Sequence, residues 1–374
     1  MKKIVIIGAG IVGASTAYLL AKRGTDVTII DRKEEGQATD AAAGIICPWL
    51  SQRRNKAWYQ LAKGGARYYP EIINQLAEDG ETDTGYARVG AVSLHTDEDK
   101  LIAMRDRALK RREDAPEIGE ITLLDQVETN KMFPLLSHEY SSVHVTGAAR
   151  VNGRKLRRAL LNGAKKYGAV LVEGDARIVQ DGHEITGVSV NGNIIESDLV
   201  VAATGAWMRE LLAPLGIPFD ITPQRAQIMH LRMPGMDPSH WPVVMPPNNQ
   251  YMLPLDDGRM VVGATYEDDV GFDCRTTAGG MYDILTKAFQ IAPELQKATV
   301  LETRVGFRPV APGFLPVFGA FPNKDGLLLA NGLGSTGLTM GPFIGEQLAK
   351  LALDEEPDVD LNLYDVQKVI ATNE

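Results

Sequence analysis

An α/β fold, α+β overall, built on a nucleotide-binding core, is predicted by three observations. A short apolar run at residues 4–7 leads directly into Gly8-Ala9-Gly10-Ile11-Val12-Gly13 and then into a helical stretch. A second apolar run at 27–30 ends on Asp31, at the spacing of roughly twenty residues that places a carboxylate beside a nucleotide ribose. Glycine turns of similar kind recur near residues 205 and 332, and the segments between them are richer in proline and in period-two alternation. The simplest arrangement is one discontinuous Rossmann-like domain made of 1–84, 147–219 and 307–374. A second, mostly antiparallel-sheet substrate domain is inserted at 85–146 and 220–306.

Taken in order, residues 4–7 read as a buried strand, and 14–23 as a helix stopped by Gly24. Residues 27–30 form the next strand, parallel to the first because a helix joins them. Residues 57–77 are helical, with Pro70 as a kink or break. Residues 88–95 alternate like a strand, 96–112 suit a charged surface helix, and 123–132 a short helix with Asp125 near its start. A basic helix at 154–167 ends at Gly168, with a strand at 169–173 and a hairpin around Asp181-Gly182. Residues 198–203 form a strand that runs into Thr204-Gly205-Ala206-Trp207. Strands at 250–254 and 260–265 flank Asp256-Asp257-Gly258, and 283–291 are helical. A strand at 327–330 precedes Gly332-Leu333-Gly334-Ser335-Thr336-Gly337, and a helix then runs to Leu353.

Composition narrows the function. With 374 residues, 44% of them hydrophobic, the chain can bury a core without disulfides or metal. A net charge of −9 argues against nucleic acid as a partner. Lys110-Arg111-Arg112 is a local basic run that suits a solvated helix face. Cys47 and Cys274 form no CxxC and no metal-spaced cluster, which suits two free thiols, no metal and a reducing cytoplasm. Lys2-Lys3 before the uncharged run 4–21 imitates a targeting signal, but Gly8, Gly10 and Gly13 interrupt it and a second strand follows. A stretch at 228–254 carries Met229, Met233, Met236, Trp241, Val243, Val244 and Met245. It would form an adaptable apolar lid or docking patch if exposed, and otherwise a loop packed over the second domain.

In the first turn, Gly8 permits a tight bend, Gly10 lets a pyrophosphate approach the backbone, and Gly13 lets helix and strand pack closely. The helix N-terminus then faces the diphosphate, and Asp31 accepts the ribose hydroxyls. These features alone fit NAD or FAD. Thr39-Asp40-Ala41-Ala42-Ala43-Gly44-Ile45-Ile46 is dense in small residues, which let backbone approach a flat ligand. The loop at 332–337 repeats the strand–glycine–helix pattern. An isoalloxazine ring suits it, because amides and a helix dipole there stabilise charge on a reduced flavin.

Those three segments, together with QYMLP around Tyr251, GRMVVGAT, GFRP around Arg308 and ANGLGSTGLTMGP, resemble the D-amino-acid oxidase superfamily of FAD-dependent oxidoreductases. The likeness is nearest to the glycine oxidases and D-amino-acid dehydrogenases and more distant to sarcosine oxidase. It covers nearly the whole chain. It implies FAD, and oxidation of a C–N bond next to a carboxylate. It implies that Arg308 forks onto the substrate carboxylate and that Tyr251 hydrogen-bonds it. FAD-contacting positions implied are Val12, Gly13, Asp31, Arg32, Thr39, Ala43, Gly44, Ile45, Ala176, Leu333, Gly334, Ser335, Thr336, Gly337, Leu338 and Thr339. Gly8, Gly10, Gly205 and Trp207 join them from the glycine turns. Asp40 stands where a serine is common, and Arg304 where relatives carry an aromatic residue. If Arg304 points into the pocket it binds a second acidic group; the alternative is surface exposure. No cysteine lies where sarcosine oxidase attaches its flavin, so noncovalent FAD is expected.

The expected function is oxidation of glycine, a D-amino acid or an N-alkyl glycine by hydride transfer to flavin N5, followed by hydrolysis of the imine. Such chemistry needs positioning more than a general base, and no catalytic dyad is visible among six histidines. The alternatives are a 2-hydroxy-acid dehydrogenase, a tRNA-modifying enzyme and a flavin-binding protein without turnover. Oxygen or a quinone is the expected acceptor. Peripheral membrane contact and a homo-oligomer stay open.

Overall fold

The computed structural model describes residues 1–370. The strand Lys3–Ile7 lies between Asp26–Asp31 and Leu199–Ala202, parallel to both. Its alternation divides the domain. Ile4 and Ile6 join one core with the helices, while Val5 and Ile7 join another with Ile185 and Val188 on the opposite face. The full sheet runs Val317–Ala320, Leu327–Asn331, Leu199–Ala202, Lys3–Ile7, Asp26–Asp31, Val170–Glu173, and only its first pair is antiparallel.

The helix Ile11–Lys22 is buried at nearly every position because Gly153–Lys166 and Gly337–Ala352 flank it. Its lack of charge as far as Ala21 therefore reflects burial inside protein. Among the described residues no helix is long and apolar enough to cross a membrane. The helix Lys56–Glu78 begins with Asn55 accepting the Trp58 amide at 3.0 Å and is one continuous element. Pro70 does not break it: the helix continues through this exposed proline to Glu78.

A second sheet has eight strands, ordered Thr299–Val310, Thr222–Arg232, Met260–Gly263, Tyr251–Pro254, Val243–Met245, Ala91–His95, Ser141–Val145, Ile121–Leu124. All neighbours are antiparallel except Val243–Met245 with Ala91–His95, which join the two inserted segments. The two longest strands, Thr222–Arg232 and Thr299–Val310, are absent from the sequence reading. Glutamine, histidine and arginine on them mask the alternation. The boundary drawn between 306 and 307 falls inside Thr299–Val310, so Arg308 is held by the eight-stranded sheet.

Three local expectations are corrected. The methionine-rich stretch is not an exposed apolar lid: Met229, Val243 and Val244 are core residues on strands, the loop between those strands packs Met233 and Trp241 against the same core, and of its methionines only Met236 is well exposed. Arg111 is not a solvated charge; its guanidinium donates to the Ser51 carbonyl at 2.7 Å and lies 4.5 Å from the centre of the Tyr59 ring. The helix expected at 123–132 is Gln126–Met132, capped reciprocally by Asp125 and Glu128, and the residues before it are strand.

Candidate active site

The first glycine turn is shaped by what it lies against. Gly8 has φ +102°, and a Cβ there would come within 2.5 Å of the Ala203 carbonyl oxygen; a Cβ on Gly13 would come within 1.9 Å of the Gly8 oxygen. Bare backbone therefore brings strand, turn and helix together. The Ile11 amide donates to Thr39 Oγ1 at 3.0 Å. Amides of Val12 and Gly13 have no partner within a first helical turn, and that turn carries no acid and no side-chain cap. This leaves a positive helix end suited to a diphosphate.

Asp31 ends the second strand with its carboxylate oriented by three donors. Oδ2 accepts from the Ala9 amide at 2.7 Å, and Oδ1 from the Lys33 amide at 2.7 Å and Gln37 Nε2 at 3.0 Å. Beyond it, Arg32 ion-pairs with Glu34, Asp175 and Glu210 at 2.8, 3.1 and 2.7 Å. Ala176, which opens the strand Ala176–Asp181, lines the same end.

The cavity that starts here has a volume of about 690 Å³, within the range of cofactor sites. It runs past Ala43, Gly44 and Ile45, past Gly205 and Trp207, and along the loop after Leu327–Asn331. Thr339 Oγ1 donates to the Ile45 carbonyl at 2.9 Å, and Asn331 Nδ2 to the Gly205 carbonyl at 2.9 Å, tying the three segments together. Trp207 stacks on Phe272 with ring centres 5.0 Å apart. Every position expected to contact FAD or the substrate carboxylate lines this cavity except Gly13 and Thr336. Gly13 acts through packing, and Thr336 turns inward, its hydroxyl donating to the Leu333 carbonyl at 2.9 Å.

At the far end stand Arg308, Tyr251 and Tyr266, with Ala226 and Ile228 as apolar walls. Arg308 Nη1 donates to Gln224 Oε1 at 3.0 Å and to the Thr265 carbonyl at 3.4 Å, and its guanidinium lies 4.3 Å from the centre of the Tyr266 ring. No carboxylate among the described residues pairs with it, so its charge and remaining N–H groups face the cavity. Burial pushes the Tyr251 phenol well above the usual tyrosine range, and the Arg308 charge opposes this only in part. Tyr251 is thus a neutral donor. Sequence reasoning missed Gln224, Thr265 and Tyr266. Gln224 is brought to Arg308 by strand register, and Thr265 and Tyr266 by the bridge between Arg225 and Glu267, neither of which a local motif reports.

Arg304 does not enter this cavity. Its Nη2 pairs with Glu302 at 2.6 Å and its Nη1 donates to the Asp40 carbonyl at 3.3 Å, so it neither offers this cavity a second anchor for an acidic group nor lies on the open surface, its side chain being 13% exposed. The Asp40 side chain pairs with Arg157 at 3.3 Å. Neither cysteine lines the cavity, and burial pushes the Cys47 thiol up to about 12. The uncapped helix end, the glycine cradle and the long cavity fit noncovalent FAD.

Comparison with known proteins agrees. The family model described as DAO, FAD dependent oxidoreductase, matches residues 3–351. The uncharacterized oxidoreductase YurR of Bacillus subtilis (strain 168) is 59% identical over 99% of this chain and 100% of its own. The crystal structure of iminodiacetate oxidase from Chelativorans sp. BNC1 superposes with a TM-score of 0.94 at 43% identity, covering 97% of this chain and 98% of that one. Glycine oxidase from Geobacillus kaustophilus superposes with a TM-score of 0.83 at 27% identity, covering 99% of both chains. The chain belongs to the DAO family of FAD-dependent oxidoreductases and binds FAD noncovalently.

Proposed function

We propose that this FAD-dependent oxidoreductase oxidises the C–N bond of a small amine bearing an α-carboxylate, an N-substituted glycine before a primary amino acid. The observation that carries the reading is Arg308: a guanidinium without a carboxylate partner, held by Gln224 and Tyr266 at the end of the cavity. Such a group selects an anion and orients it through two parallel N–H bonds. The likeness to iminodiacetate oxidase at 43% identity favours a secondary amine.

Bound FAD supplies the two-electron oxidant. The chain supplies the rest. Arg308 and the Tyr251 hydroxyl hold the carboxylate, which fixes where the neighbouring carbon sits. Ala226 and Ile228 wall the position with apolar surface and keep water from the reacting carbon. No histidine lines the cavity, and three of its four carboxylates, Glu34, Asp175 and Glu210, gather on Arg32 at the other end. The amine therefore enters neutral, with its lone pair available, and no side chain is needed to take its proton. Oxygen is the acceptor proposed, in keeping with the likeness to an oxidase, iminodiacetate oxidase.

Anaerobic bleaching of the flavin against N-methylglycine, iminodiacetate, glycine, D-alanine and glycolate tests this. Bleaching is expected fastest with the N-substituted glycines, with stoichiometric hydrogen peroxide on admitting air. Bleaching by glycolate alone would make this a hydroxy-acid enzyme, and no bleaching by any of them would leave a flavin-binding protein.

A further inference from the structure

Behind the flavin segment lies a second cavity, about 480 Å³ and open to solvent, lined by Arg154, Arg232, Arg259, Leu301, Glu302 and Arg304. Its four arginines come from four different elements: the first turn of Gly153–Lys166, the end of Thr222–Arg232, the turn before Met260–Gly263, and Thr299–Val310. Glu302 accepts from Arg259 at 2.7 Å and from Arg304 at 2.6 Å, and Asp257 pairs with Arg259 at 2.8 Å. The Arg232 side chain makes no hydrogen bond or ion pair among the described residues. Four guanidinium groups against these two carboxylates leave two positive charges uncompensated, in a chain whose net charge is −9. Arg154 also sits where a helix dipole disfavours a cation.

A second feature points the same way. His230 is 1% exposed, and both of its ring nitrogens lack a hydrogen-bond partner, as does the buried Nε of Arg304. The His230 ring faces Glu302, with Nδ1 3.9 Å from the carboxylate, on the strand beside Arg304. Burial first, and then the charge of Arg304, push this histidine down to about 4, with Arg259 and Arg154 adding to that and Glu302 opposing it. Of these two residues Arg304 lines the cavity, and a buried donor without a partner beside surplus positive charge is costly unless something negative occupies the space.

We propose that this cluster binds a phosphate-type dianion, either free phosphate or a phosphomonoester. Guanidinium groups converging from four elements suit a tetrahedral oxyanion better than a planar carboxylate, and two surplus charges match a dianion. The site is joined to the flavin segment through one atom. Arg154 Nε donates to the Asp40 carbonyl at 3.0 Å and Arg304 Nη1 at 3.3 Å, and Asp40 lies between Thr39 and Ala41, which line the FAD cavity.

The test is calorimetric titration of the FAD-loaded enzyme at constant ionic strength with inorganic phosphate and, separately, with glycerol 2-phosphate. One saturable site is expected. Arg232→Ala should weaken it at least tenfold and Arg304→Gln more, with the flavin spectrum and content retained. A tenfold preference for the ester would identify the ester as the source, and equal affinity the free ion. Arg232 has no partner to lose, so Arg232→Ala decides the matter even if Arg304→Gln folds poorly. Absence of saturable binding, binding unchanged in Arg232→Ala, or displacement of phosphate by acetate acting at Arg308 would overturn the proposal.

Discussion

Arg308 and Arg304 project from the same face of one strand, four positions apart, yet open into different cavities, because Ala41 lies across Gly306 between them. A Cβ on Gly306 would come within 2.6 Å of the Ala41 Cβ. The short helix Ala38–Ala41 therefore rests on bare backbone and partitions the strand. Arg308 is left to the flavin side and Arg304 to the arginine cluster.

That partition predicts the effect of Gly306→Val. The added methyl groups must push Ala38–Ala41 off the strand, at a cost of about 1–3 kcal/mol. Since Thr39 and Ala41 line the FAD cavity, the FAD dissociation constant should rise roughly tenfold with little change in the apoprotein's secondary structure. Fluorescence titration of apoenzyme with FAD measures it; an unchanged constant would mean that the segment does not shape the FAD site.

Arg308→Ala should keep FAD and lose about 2–5 kcal/mol of substrate placement, read as a fall in kcat/KM for every substrate of the parent. Arg308→Lys should rescue little of it, because an ammonium cannot make two parallel bonds. Retained efficiency in either variant excludes the carboxylate-anchor role.

Tyr251→Phe removes one hydrogen bond to a charged group, worth about 1.5–3 kcal/mol, so kcat/KM should fall roughly ten- to hundredfold. Because burial holds the phenol protonated well beyond the usual tyrosine range, the parent should show no alkaline decline from this residue below pH 10. The rise of kcat/KM with pH should instead follow loss of the substrate's ammonium proton. A parent profile that falls near pH 9, with the fall absent in Tyr251→Phe, would contradict this.

Asp31→Ala should weaken FAD binding without touching the arginine cluster. The carboxylate is oriented by the Ala9 and Lys33 amides, and its loss frees the turn as well as removing the acceptor proposed for the ribose hydroxyls. Equilibrium dialysis against FAD checks it, with an unchanged constant as the contrary result.

Acid should loosen the loop that carries Tyr266. Burial pushes the Glu267 carboxyl up, but the Arg225 guanidinium and the hydrogen bonds from Thr265 and Gln227 outweigh it and hold it below the usual range. A carboxyl depressed by folding stabilises the folded state above its unfolded pKa, and that share is lost as pH falls below about 4.3. Arg225 is buried and also pairs with Asp273 at 2.8 Å. Arg225→Met should therefore cost about 3 kcal/mol at pH 7, the lower end for a broken buried pair because its carboxylates are partly exposed. It should also flatten the stability change between pH 5 and 3. Urea unfolding at the two pH values measures both.

The nucleotide half of the protein was legible in the sequence because its constraints are local. A strand ending in Gly8, a helix opening at Gly10 and a carboxylate at Asp31 are each dictated by backbone geometry within a few residues, and so is the loop at 332–337. The resemblance carried by QYMLP and GFRP then singled out Tyr251 and Arg308. Their partners were beyond its reach. Gln224 meets Arg308 only because Thr222–Arg232 pairs with Thr299–Val310 in one register, and a shift of one residue would turn every side chain of that pair to the opposite face. The same register sets His230 beside Glu302, and the chain's path brings Arg154, Arg232 and Arg259 to Arg304 from segments with no common motif. Local geometry is written in consecutive residues. The facing of two strands some eighty residues apart is settled by which pairing buries the most apolar surface, and only the assembled sheet decides that.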